Sequence, residues 1–284
     1  MKLNIEKNII IKNAETHDFL ADAYYPEDAE KLPLVIFAHG YKGYKDWGAW
    51  DLMAKKLAEA GFFFVKFNFS HNGTTIAQPK DFADLEAFGH NNFSKEMSDF
   101  DEVLNHFYNH LKIDNEKICI IGHSRGGGIT VIKTFEDERI KILITLAGVS
   151  NFKYRFPTKE RFEDWKREGV MYSENKRTHQ EMPHYFQFFE DFEKNERRFD
   201  IQYAAQHLEK PFLIIQGTDD EAVKDKEAFL LNEWCKTSEL VLLENANHTF
   251  GAKEPWTENK LPEDLEKASS KMIQFMRSHF ETLM

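Results

Sequence analysis

Ser124 stands in ICIIGHSRGGG, residues 118–128, between an aliphatic run and three consecutive glycines. Gly122 and Gly126 flank it in the spacing G-x-S-x-G, which carries chemical meaning where a strand precedes the serine and a helix follows it. Both are expected here, EKICIIGHS as strand and RGGGITVIKTFED as helix. A strand that turns sharply into a helix crowds the residues beside its tip, so glycines there remove contacts that a Cβ would make. The serine then projects above the sheet; the plainer alternative is a serine that only caps a helix. A hydroxyl is a weak nucleophile until a base takes its proton and a third group orients that base. In PFLIIQGTDDEAV a strand ends at Gly217, with Asp219 and Asp220 after it. Asp220, three residues beyond the glycine, is the expected acid and Asp219 the other candidate; either would also suit a helix cap. No carboxylate follows the preceding strand in LITLAGVS, and SELVLLENANHTF puts His248 in a short polar loop beyond the last strand. Ser124, Asp220 and His248 in that order have the residue types for nucleophile, orienting acid and base in acyl transfer.

Such chemistry also needs donors for an oxyanion. The N–H of Arg125, next after the nucleophile, sits at a helix N-terminus where backbone donors are unsatisfied and the dipole is positive. The second donor is expected from HGYKGYKDW, where Gly40 and Gly43 let the backbone approach a ligand and Tyr41 supplies the amide. His39 is expected to brace this loop. His39, Lys42, Trp165 and Tyr172 are candidate substrate contacts, although aromatic residues serve more often as core.

The elements that must position these residues are read from short continuous apolar runs alternating with amphipathic helices. NIIIKN and HDFLADAYYP suggest an opening antiparallel pair; LPLVIFAHG, GFFFVKFNFS, EKICIIGHS, IKILITLAG, KPFLIIQGT and SELVLLENA suggest strands covered on both faces. The expected class is α/β, a mostly parallel sheet of about eight strands with helices on both faces. Residues 150–208 break the rhythm: aromatic, highly charged and without an evident strand. They are expected to form an inserted helical cap, with residues 1–149 and 209–284 as the core; the alternative is an added helical layer that serves packing alone. Loops at the carboxyl ends of parallel strands are where such sheets bind ligands. Basic residues in this segment, among them Arg155, Arg161, Lys166, Lys176 and Arg177, leave an anionic substrate group open.

With 284 residues, 42% of them hydrophobic, the chain is long enough to bury a large core. A net charge of −11 opposes nucleic acid and anionic membrane surfaces as partners. Cys119 and Cys235 are the only cysteines. They do not suggest a disulfide framework, and a reducing, cytoplasmic setting is expected. No apolar run reaches membrane-spanning length, and no H-E-x-x-H or paired-cysteine motif points to a metal.

On the order Ser124, Asp220, His248 and the loop AHGYKGYKDW, the chain resembles the α/β-hydrolase superfamily. It is most similar to serine esterases of the dienelactone-hydrolase-like and cinnamoyl-esterase-like groups, with Ser124 where true dienelactone hydrolases carry cysteine. The resemblance implies hydrolysis of a small-molecule ester without cofactor or metal, by a monomer or homodimer. It implies His248 as base, Asp220 as its orienting partner, and the amides of Tyr41 and Arg125 as oxyanion donors. FNFSHNGTT replaces the family's aspartate-containing turn after the fourth strand, which brings His71 and Asn72 forward as pocket residues. A peptidase or thioesterase of the same fold, or a ligand-binding protein that keeps the scaffold without turnover, are the other readings.

Overall fold

The computed structural model describes residues 2–282. Its strands are β1 (Leu3–Ile11), β2 (Phe19–Pro26), β3 (Leu32–Ala38), β4 (Phe63–Phe67), β5 (Ile113–His123), β6 (Ile142–Leu146), β7 (Val170–Asn175), β8 (Gln180–Tyr185), β9 (Phe212–Gly217) and β10 (Ser238–Leu243). Its helices are α1 (Trp50–Glu59), α2 (Leu85–Gly89), α3 (Phe93–Tyr108), α4 (Arg125–Glu136), α5 (Glu160–Glu168), α6 (Gln187–Lys194), α7 (Ile201–Gln206), α8 (Asp225–Trp234) and α9 (Glu263–Thr282). The main sheet runs β1-β2-β4-β3-β5-β6-β9-β10. β2 is antiparallel to both β1 and β4, and the remaining pairs are parallel.

β4 (FFVKF) and β6 (ILITL) are buried at every position, which explains why they are apolar apart from Lys66 and Thr145. The period of two divides the core. Val35, Phe37, Ile121 and Ile144 face α1 and α9, whereas Leu34, Ile36, Ile120 and Leu143 face α3, α4 and α8. No helix among the described residues is long and apolar enough to cross a membrane.

Lys66 interrupts β4 with a buried ammonium group. It lies 2.8 Å from Asp22 and 2.7 Å from Asp51, and also pairs with Asp46, while Lys45 lies 2.8 Å from Asp22. Burial alone would push the Asp22 carboxyl up, but Lys66 and Lys45 outweigh it and hold the group well below the usual carboxylate range. Asp22→Ala would leave two buried ammonium groups short of a counterion. It is expected to destabilise the protein by about 3 kcal/mol, the scale for breaking a buried pair by removing one partner. The urea midpoint measures this directly, and an unchanged midpoint would remove Asp22 as the centre of the network.

Residues 150–208 differ from the helical segment expected. Besides α5 and α6 they contain an antiparallel ribbon, with Met171 opposite His184 and Ser173 opposite Met182. The exposed positions of its strands are Tyr172, Glu174 and Glu181, and its turn takes a left-handed conformation at His179 (φ 57°) rather than at the glycine or asparagine that marks most tight hairpins. α7 also lies within that range, yet it packs against α4 and α8 in the layer covering the main sheet.

Candidate active site

β5 ends at His123, and Ser124 turns the chain into α4 with φ 55° and ψ −120°. A non-glycine residue pays steric strain there, and such strain persists only where the surroundings hold it. Ser124 N–H donates to the Leu146 carbonyl at 2.9 Å, and its own carbonyl accepts from Gly127 at 2.9 Å and Val149 at 3.1 Å. The glycines are required by contact. A Cβ at Gly122 would stand 2.3 Å from the Gly126 carbonyl oxygen, and one at Gly126 would stand 2.5 Å from that of His39. The Ser124 side chain makes no capping bond to α4, which argues against a serine present only to start the helix.

The two aspartates after β9 separate clearly. Asp219 is exposed, while Asp220 is buried with Oδ2 accepting from His248 Nδ1 at 2.8 Å and from Gln216 Nε2 at 3.0 Å. Its Oδ1 accepts from the amides of Ala222 and Val223, each at 2.8 Å. Burial pushes this carboxyl up, but His248 and the two amides more than offset that, so it lies below its ordinary value.

His248 is brought to the serine turn through His123, a residue that the sequence reading passed over. His123 Nε2–H donates to the His248 carbonyl at 2.9 Å, and the two rings lie 4.8 Å apart. Burial, with the neighbouring His248, pushes the His123 imidazole down to about 3, so it stays neutral. Ser124 Oγ and His248 Nε2 do not form a hydrogen bond in this structure; such bonds are often long before substrate binds. Position in the G-x-S-x-G motif carries no signal for the bracing role of His123.

The loop after β3 lies against the same turn. Burial pushes the His39 imidazole down to about 4; its Nδ1–H donates to the Gly40 carbonyl at 2.9 Å and its Nε2 accepts from Phe69 N–H at 3.2 Å. His39 is thus a brace of the loop. Asn72 joins it, donating to the Gly43 carbonyl at 3.2 Å. The amides of Tyr41 and Arg125 make no backbone hydrogen bond, and Arg125 heads α4 where no helical acceptor is available. Lys42 Nζ donates to the Glu174 carbonyl at 2.8 Å, on the ribbon.

Two of the remaining expected contacts, Trp165 and His71, need correction. Trp165 is 1% exposed, its Nε1–H bonds the His184 carbonyl at 2.7 Å, and it sits among Phe156, Phe162, Phe186 and Phe189. It is the core of the segment 150–208 itself, because an indole that large is the cheapest way for a short segment to bury apolar area. His71 stacks on His17 with centroids 4.4 Å apart and bonds Ser70 Oγ at 2.8 Å, which turns it toward the amino-terminal hairpin. Tyr172 is 54% exposed.

The sequence profile of the prolyl oligopeptidase family matches residues 51–267. Among curated proteins, the uncharacterized protein YcjY of Escherichia coli K12 is 26% identical over 151 residues, 52% of this chain. That match spans only 46% of YcjY, about half its length. Among solved structures, Est1E of Butyrivibrio proteoclasticus with bound ferulic acid superposes with a TM-score of 0.73 at 17% identity, covering 96% of this chain and 99% of that one. The esterase domain of a Rhodothermus marinus protein superposes with a TM-score of 0.66 at 16% identity, covering 98% and 99%. At these identities the two likenesses are likenesses of fold.

Proposed function

Because this chain belongs to the prolyl oligopeptidase family, serine hydrolases with the α/β-hydrolase fold, we propose that it hydrolyses small carboxylic esters through an acyl-enzyme on Ser124. The observation that carries the reading is the 2.8 Å pair between buried Asp220 and His248, set beside a strained serine turn. His248 takes the Ser124 proton as Oγ attacks the ester carbonyl, and the amides of Tyr41 and Arg125 receive the oxyanion. His248 then protonates the departing alcohol, and water repeats the cycle on the acyl-enzyme. Asp220 keeps the proton of the neutral imidazole on Nδ1, so that Nε2 faces the serine as a base, and it stabilises the imidazolium that follows. The likeness to an esterase holding ferulic acid favours an aryl acyl group among the esters to be tried.

The family match gives a second reading, cleavage of a peptide bond by the same residues. One experiment separates the two: steady-state hydrolysis of p-nitrophenyl esters from acetate to decanoate, of methyl ferulate, and of prolyl and alanyl p-nitroanilides. Turnover of esters well above that of anilides is the expected result. Anilide turnover above ester turnover would transfer the assignment to a peptidase, and no turnover of either by folded protein would contradict both.

A further inference from the structure

The side chains of Tyr41 and Arg125, the residues whose amides would form the oxyanion site, are joined to each other and to the cap ribbon. The Arg125 guanidinium lies 5.1 Å from the centre of the Tyr41 ring and 5.9 Å from that of Phe188 on α6. Its far end pairs with Glu96 of α3, a buried carboxylate that also accepts from Asn91 Nδ2 at 2.8 Å. The Tyr41 phenol reaches the other way. Its Oη lies 2.8 Å from Ser173 Oγ on β7 and 2.7 Å from His184 Nε2 on β8, and these two atoms are 3.1 Å apart. Burial, followed by the charge of Arg125, pushes the His184 imidazole down to about 3, so it is a neutral hydrogen-bonding partner for the phenol.

The anchoring of the loop gives these bonds their importance. On its core side it is held by His39 to the Gly40 carbonyl, by Asn72 to the Gly43 carbonyl, and by Lys45 N–H to Asn68 Oδ1 at 2.6 Å. At the apex, Lys42 takes a left-handed backbone (φ 55°), and the side-chain bonds made there by Tyr41 and Lys42 run to the ribbon. An amide donor stabilises an oxyanion only if it is aimed before the reaction occurs. We propose that Ser173 and His184 are positioning residues for the oxyanion site, acting through the Tyr41 hydroxyl, so that the seated ribbon sets where the Tyr41 amide points relative to that of Arg125. The inference rests on the hydrolase reading above and adds that the ribbon takes part in transition-state stabilisation.

Tyr41→Phe removes the hydroxyl and keeps the ring over Arg125. It is expected to lower kcat about tenfold, less than outright loss of an oxyanion donor, with KM roughly unchanged. The selective readout is the ratio of kcat/KM for a p-nitrophenyl ester to that for its thionoester, whose larger, more weakly hydrogen-bonded sulfur fits an aimed donor pair poorly. Wild type should favour the oxygen ester strongly, and Tyr41→Phe should reduce that ratio several-fold, whereas simple loosening would lower both rates alike. Adding His184→Leu to Tyr41→Phe should cost little beyond the single change, because both act through one hydroxyl. Ser173→Ala gives the same readouts from the cap side if Tyr41→Phe does not fold. Unchanged kcat and an unchanged oxygen-to-sulfur ratio in an active enzyme would overturn the inference while leaving the hydrolase reading intact. Wild type inactive on both esters would overturn the two together.

Discussion

Ser124→Ala is expected to lower kcat/KM for ester substrates by roughly 10⁴- to 10⁶-fold, the range for removing the nucleophile of a serine hydrolase. The protein should remain folded. The Ser124 hydroxyl makes no capping bond to α4, and the hydrogen bonds that hold the turn all come from its backbone. Alanine keeps the same N–H and carbonyl, and the left-handed conformation is imposed by its neighbours in either case. A near-normal melting temperature with lost turnover therefore isolates the chemical role. A residual rate close to that of wild type would mean that the strained turn serves something other than attack on a carbonyl.

The second large effect is expected at Asp220. The Ala222 and Val223 amides both donate to Oδ1, so in Asp220→Asn the side-chain oxygen stays on those donors and the amide nitrogen turns toward His248. That nitrogen can only donate, which forces His248 to accept on Nδ1 and to carry its proton on Nε2. The serine side then faces a ring nitrogen with no lone pair to offer. A loss of about 10⁴-fold in kcat follows, the known cost of the wrong tautomer. Asp219→Asn should be nearly silent, since Asp219 is exposed and its backbone N–H, bonded to the Ala246 carbonyl at 3.0 Å, is unaffected. Equal and large losses in both variants would contradict this division.

The main sheet and the order of the candidate residues were legible because each rests on a local rule. Buried parallel strands such as β4 and β6 need apolar residues on both faces, and a strand that turns into a helix through a serine needs Gly122 and Gly126. The choice of Asp220 over Asp219 was legible only as a matter of spacing; burial and the bond to His248 separate the two. The segment 150–208 was the least readable part. Its ribbon is half exposed and polar, lacks a glycine turn, and is held by tertiary bonds from Tyr41 and Lys42 that no local pattern encodes. For the same reason Trp165 was misplaced: an aromatic residue in an insertion looks the same in sequence whether it lines a pocket or fills the segment's own core. Lys66 is a third case, since a lysine within FFVKF is intelligible only with Asp22, Asp46 and Asp51 around it.

The central claim is that Ser124 is a nucleophile activated by His248. Its most direct test is reaction with a fluorophosphonate, followed by intact-mass and peptide mapping of wild type, Ser124→Ala and His248→Ala. The account predicts one adduct per chain in wild type, located on Ser124, with none in Ser124→Ala and much slower labelling in His248→Ala. Folded wild type that stays unlabelled, or an adduct that persists in Ser124→Ala, would contradict it.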